Sequence, residues 1–229
     1  MNSKNQTVII LHGWGHNANL WQNMKKKLEN TSFSVILDDL PGFGSRAGQS
    51  VNYSIQDYAC WFEYQYKEII NKDKIILVGH SLGGRIAIEL AQSNPKWLEK
   101  LILIGAPGIY KPSVKTKLLK NFSFLKKLPL LRSLASKLNP EYESAKQNHL
   151  KKTYQKVVGN DQKSILHLID SPTLLIWGEK DYIVPISIAK KMNKLIAKSE
   201  LKLIPNSGHS PHLDNPDLLF GVLNNYFKK

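Results

Sequence analysis

Six short runs of branched aliphatic residues are spaced along the chain, and amphipathic stretches fill most of the gaps between them. The runs lie near 7–11, 33–37, 74–78, 100–105, 172–177 and 200–204. Helical patterns lie near 18–29, 54–70, 83–92, 186–197 and 214–227. Near-continuous apolar runs suit strands buried on both faces, and strands alternating with helices predict a parallel sheet covered on either side. Ser54, with Asp57 three residues on, marks a helix start. Asn94-Pro95 marks where the helix near 83 must already have ended.

The third run leads without a linker into Val78-Gly79-His80-Ser81-Leu82-Gly83-Gly84, and then into the helical Arg85-Ile86-Ala87-Ile88-Glu89-Leu90. A serine held on so sharp a strand-to-helix turn takes a strained backbone conformation. Side chains two positions away on either side would clash, so Gly79 and Gly83 fit. The hydroxyl of Ser81 then stands beyond the carboxyl edge of the sheet. The following helix aims its N-terminus at the same place, where backbone N–H groups favour negative charge. Ser81 is thus a candidate nucleophile.

A serine hydroxyl needs a base, and the base needs an orienting carboxylate. Of the seven histidines, His80 adjoins the serine, but its side chain should point away from it at this turn. His149 and His167 fall in an insertion. His209, in "PNSGHSPH" directly after the last strand, is favoured over its rival His212, because loops at the carboxyl ends of parallel strands gather functional groups. By the same rule the carboxylate should come from "LLIWGEKDYIVP", where Asp181 is favoured over Glu179; Asp170 precedes its strand and lies at the wrong edge. The order Ser81, Asp181, His209 is a known order for such a triad. "LHGWG", residues 11–15, follows the first strand, which should neighbour the third. The backbone N–H groups of Trp14 and Leu82 are therefore the expected oxyanion donors.

Between the fourth and fifth strands the alternation stops. Residues 109–168 hold helical patterns such as Val114, Leu118, Leu119, Phe122 and Leu125. They are expected to form a helical cap, with residues 1–108 and 169–229 as the core. The insertion carries thirteen Lys/Arg against three Asp/Glu, and so most of the chain's net charge of +14. That charge is read first as a solvated helix face, and otherwise as a site for an anionic substrate or an acidic carrier protein. Leucines beside lysines 117, 120, 126 and 127 also admit a membrane-surface reading, although an acyl-pocket lining is favoured. Only Arg46, Arg85 and Arg132 are arginine, which argues against sequence-specific nucleic-acid binding. No run reaches the ~18 apolar residues of a membrane span. With a single cysteine, Cys60, and no signal-peptide core, a soluble cytoplasmic protein is expected. No metal or organic cofactor is expected, since no Cys/His spacing or dinucleotide fingerprint occurs.

Taken together, "LHGWGHNANLW", "DDLPGFGSR", "VGHSLGGRIA", "LLIWGEKDYIVP" and "NSGHSPHLDNP" resemble successive signatures of the α/β-hydrolase superfamily over residues 8 to 216. The resemblance implies Ser81 as nucleophile, His209 as base, Asp181 as acid, and Trp14 with Leu82 as oxyanion donors. Aspartate in place of Ser81 would have implied a dehalogenase or epoxide hydrolase. Within the superfamily the motifs are most similar to carrier-protein methyl ester esterases and related small carboxylesterases. That group reaches its first HG motif after an antiparallel hairpin. Here only six residues precede the first strand, so the expected sheet is a reduced one of six strands in the order 2-1-3-4-5-6. The implied activity is hydrolysis of a small-molecule carboxylic ester through an acyl-enzyme. The alternatives are a C–C bond hydrolase or lyase on the same triad, and a ligand-binding homologue without turnover.

Overall fold

The computed structural model describes residues 6–48, 51–110 and 149–229. Their strands are β1 (Gln6–Leu11), β2 (Phe33–Leu37), β3 (Ile75–His80), β4 (Leu98–Ile104), β5 (Thr173–Gly178) and β6 (Ser199–Ile204). They form one six-stranded sheet in the order β2-β1-β3-β4-β5-β6. Every neighbouring pair is parallel. The expected order is therefore observed, and each strand lies within two residues of its expected position.

Alternation along the strands divides the core into two layers. Ile9, Leu11, Leu77, Leu101, Leu103 and Trp177 face one way. They pack with α2 (Ile55–Gln65), α4 (Leu82–Ala91) and α6 (Ile186–Leu195). Val8, Ile10, Val78, Ile102 and Ile176 face the other way, against α1 (Gln22–Glu29) and α8 (Pro216–Phe227). β3 and β5 are buried along their whole length, as strands with helices on both faces must be.

Three helices depart from their expected extents. The first begins as a 3-10 turn, Ala18–Trp21, before α1. The pattern near 54–70 breaks at Tyr66 into α2 and the short α3 (Lys67–Ile70). There the Tyr66 hydroxyl donates to Asp38 at the end of β2 (3.0 Å), and its buried ring packs against Phe62. The last helix is preceded by one turn, α7 (Pro211–Asp214). The expected start of α2 holds: Ser54 and Asp57 form a reciprocal capping box.

Of the insertion, residues 149–168 lie within the described part. They carry α5 (Lys151–Val158) and a 3-10 segment, Lys163–Leu168. α5 docks on the segment after Val51: Thr153 donates to the Val51 carbonyl (2.7 Å) and accepts from the Tyr53 N–H (3.1 Å). The expected helical positions 114–125 and the lysines at 117–127 fall outside the described residues. No helix among the described residues is long and apolar enough to cross a membrane.

The chain runs outward from β1 to β2, returns to place β3 on the other side of β1, and then proceeds outward again. The loops leaving β1 and β3 therefore diverge at the carboxyl edge, which opens a crevice there.

Candidate active site

Ser81 occupies the turn between β3 and α4 with φ 51° and ψ −108°, a left-handed conformation that costs a non-glycine residue free energy. The surroundings leave no alternative. A Cβ on Gly79 would lie 2.5 Å from the Gly83 carbonyl oxygen, and one on Gly83 would lie 2.2 Å from that of Leu11. The turn is tied to both neighbouring strands: Ser81 N–H donates to Ile104 (3.0 Å) and Gly83 N–H to His12 (3.1 Å).

Asp181 follows β5 and is buried. Its Oδ1 accepts from the N–H groups of Ile183 (2.9 Å) and Val184 (2.8 Å). Its Oδ2 is left to face His209 Nδ1 at 2.8 Å. The Trp177 indole N–H donates to the Val184 carbonyl (2.7 Å) and fixes the same loop from below. The loop after β6 brings His209 in from the other side. Gly208 N–H donates to Asp214 (2.7 Å), and Lys180 N–H to Ser207 (2.8 Å). Gly105, at φ +54°, lies under the imidazole, where an added Cβ would stand 3.1 Å from the ring. His209 Nε2 then meets Ser81 Oγ at 3.0 Å. Since a carboxylate only accepts, Nδ1 carries the proton and Nε2 accepts the serine O–H.

The expected Ser81, His209 and Asp181 are thus joined in one hydrogen-bonded line. The rivals are not. Glu179 is exposed, Asp170 pairs with Lys198 at the opposite edge, and His212 stacks on Trp21 at 4.0 Å between ring centroids. His80 turns away from Ser81 and donates from Nε2 to the His209 carbonyl (2.9 Å).

A cavity of about 210 Å³ opens beside Ser81, lined among others by Trp14, Leu82, Ile109, Tyr154 and Ile188. Trp14 stands edge-on to both Phe43 and Tyr154. Among the described residues, the backbone N–H groups of Trp14 and Leu82 meet no backbone acceptor outside their own elements. Leu82 opens α4, so its N–H has no intrahelical partner either.

Sequence reasoning missed Arg85, which lines the same cavity. Arg85 is buried, and its guanidinium donates to the Asn160 carbonyl. Burial lowers its pKa to about 10, against the pull of Asp161 and Tyr110. Among the described residues no carboxylate lies within ion-pair distance of it. The signal was available: Arg85 follows Ser81 by four positions, which puts both on one helix face.

Residues 6–136 and 126–216 match the family described by the alpha/beta hydrolase fold, and the chain belongs to that family. Among curated proteins it is 29% identical over 255 residues to the pimeloyl-[acyl-carrier protein] methyl ester esterase of Wigglesworthia glossinidia brevipalpis, covering 97% of this chain and 93% of that one. It is 26% identical over 234 residues to a 2-hydroxy-6-oxononadienedioate/2-hydroxy-6-oxononatrienedioate hydrolase of Cupriavidus pinatubonensis, covering 89% and 80%. Among solved structures, an esterase from Exiguobacterium antarcticum superposes with a TM-score of 0.78 at 23% identity, covering 98% of this chain and 92% of that one.

Proposed function

We propose that the chain hydrolyses carboxylic esters through an acyl-enzyme on Ser81. The observation that carries this reading is the unbroken line from Asp181 through His209 to Ser81, at 2.8 and 3.0 Å. Ser81 Oγ attacks the ester carbonyl carbon while His209 Nε2 takes the hydroxyl proton. The carbonyl oxygen becomes an oxyanion and accepts from the Trp14 and Leu82 N–H groups, each contributing about 3 kcal/mol to the transition state. Asp181 holds the imidazole in its tautomer and stabilises the imidazolium. His209 returns the proton to the departing alkoxide, which leaves as the alcohol. Water, deprotonated by the same nitrogen, attacks the acyl-enzyme and releases the acid.

The acyl group occupies the apolar cavity. Among the described residues its volume is about 210 Å³. Within residues 109–168, α5 lines the cavity, and the positive charge of that stretch of sequence suits an anionic group or an acidic carrier protein. The carrier-protein ester named for the Wigglesworthia relative has this chemistry.

Arg85 favours a second reading, cleavage of a C–C bond in a carboxylate-bearing substrate by the same three residues. A buried guanidinium with no carboxylate within ion-pair distance among the described residues is suited to bind one.

Short p-nitrophenyl esters offered to the wild type and to Ser81→Ala test the proposal. Hydrolysis should fall by at least ~10³-fold in the variant. Unchanged activity eliminates the mechanism, and a wild type active only on carboxylate-bearing ketones favours the second reading.

A further inference from the structure

Behind the Ser81–His209 pair, on the side away from the cavity, three histidines from three separate parts of the chain come together. His16 follows β1, His80 ends β3 and His212 lies in α7. One ring nitrogen from each lies within 4.8 Å of the others. Their rings touch: His16 stacks on His80 with centroids 5.3 Å apart, and His80 meets His212 at 4.8 Å. His80 and His212 are 1% and 3% exposed. His16 Nδ1, His80 Nδ1 and both nitrogens of His212 have no hydrogen-bond partner among the described residues. Aromatic packing alone does not call for such groups, since phenyl rings would fill the space without burying unpaired lone pairs.

We propose that His16, His80 and His212 form a binding site for a divalent transition-metal ion of the zinc class. The proton positions favour it. His80 donates its Nε2–H to the His209 carbonyl at 2.9 Å, so its Nδ1 carries a lone pair, and that nitrogen has no hydrogen-bond partner among the described residues. A ligating histidine whose other nitrogen donates to a backbone carbonyl is the usual arrangement at metal sites. The Trp21 indole, stacked on His212 at 4.0 Å and nearly parallel to it, fixes that ring. Three imidazoles with no thiolate select zinc, copper or nickel over calcium or magnesium.

Ligand nitrogens in a tetrahedral zinc shell stand about 3.3 Å apart, so the cluster must tighten by about 1.5 Å. His16 is the residue able to move. It is only partly buried and follows Gly15, which has φ +69° and no heavy atom near the position of an added Cβ. A fourth position remains for water. The ion's charge would lie close to His209, whose ring centroid is 5.1 Å from that of His80. It would oppose formation of the imidazolium. The site is therefore inhibitory toward the proposed hydrolysis, and that consequence rests on the esterase reading, while metal binding does not.

Equilibrium dialysis of the metal-stripped full chain against Zn²⁺, with Co²⁺ absorption as a second probe, tests the site. One Zn²⁺ per chain is expected, with Co²⁺ giving the visible bands of a four-coordinate nitrogen shell. His16→Asn and His212→Phe should each weaken Zn²⁺ binding by at least ~10-fold, with unchanged far-UV circular dichroism. Ser81→Ala should bind Zn²⁺ as the wild type does, so a failed esterase assay and a failed metal site remain distinguishable. Zn²⁺ should lower the ester kcat of the wild type by at least ~10-fold and affect His16→Asn far less. No uptake of Zn²⁺, or uptake that neither variant weakens, overturns the site. Equal inhibition of wild type and His16→Asn overturns the coupling to His209.

Discussion

On one side of the Ser81–His209 hydrogen bond lies the cavity of Trp14, Leu82, Ile109, Tyr154 and Ile188, with Arg85 as its buried cation. On the other side lie the rings of His16, His80, His212 and Trp21. Both sides are aromatic-rich, but they treat polar atoms differently. The cavity side offers mainly apolar walls, with the Arg85 guanidinium among them. The imidazole side grips the loop of His209 from behind, through the bond from His80 to its carbonyl. One side is an open cavity, while the other packs its rings together and ties down the His209 backbone.

The largest expected effect breaks the line that separates the two sides. Asp181→Asn keeps the loop contacts but no longer fixes the imidazole tautomer, so kcat for a p-nitrophenyl ester should fall about 10⁴-fold with little change in KM. A loss below tenfold would mean that His209 is oriented from the imidazole side alone.

His12 sharpens the contrast within the histidines. It is as buried as His80, yet both its nitrogens are used: Nδ1 donates to the Gly13 carbonyl (2.8 Å), and Nε2 accepts from the Leu40 N–H (2.9 Å). Burial lowers its pKa from 6.5 to about 4. The unfolded chain therefore binds a proton at His12 below pH 6.5, whereas the folded chain does not until about pH 4. Stability from this residue is full above pH 6.5 and is lost as the pH falls through that window, by up to about 3 kcal/mol. Urea melts from pH 7 to 4 should show His12→Gln, which keeps an acceptor for Leu40, losing less stability in acid than the wild type. Parallel curves would show that His12 is not held neutral.

The smallest effect concerns the cavity side. Arg85→Met should raise KM about tenfold for an ester whose acyl chain ends in a carboxylate, and leave a neutral ester of equal length within about twofold. Equal shifts for both would make Arg85 only a support for the Asn160 carbonyl.

The two sides also differ in how far the sequence disclosed them. Strand positions and sheet order were legible because the apolar runs are continuous and the helices between them amphipathic. Ser81, His209 and Asp181 were legible because each follows a strand, and a parallel sheet sends all such loops to one edge. The expectation that Trp14 and Leu82 supply the oxyanion donors rests on the same rule. Arg85 was readable by helical spacing from Ser81 but was overlooked. His16, His80 and His212 carry no local signal: they come from a loop, a strand end and a short helix with no metal-ligand spacing, and only the adjacency of β1 with β3 and the fold-back of α7 join them. The break at Tyr66 was hidden for a similar reason, since its cause is a hydroxyl reaching Asp38 on another element. Local pattern records which face of an element is buried, and does not record which loop tips meet.

The most direct measurement is intact-protein and peptide mass analysis after reaction with a fluorophosphonate. One phosphonyl group should add to the wild type on the peptide containing Ser81, and none to Ser81→Ala. Addition to His209→Ala should slow by at least ~10²-fold. Labelling at another residue, or equal rates in wild type and His209→Ala, would contradict the claim that the imidazole of His209 activates the hydroxyl of Ser81.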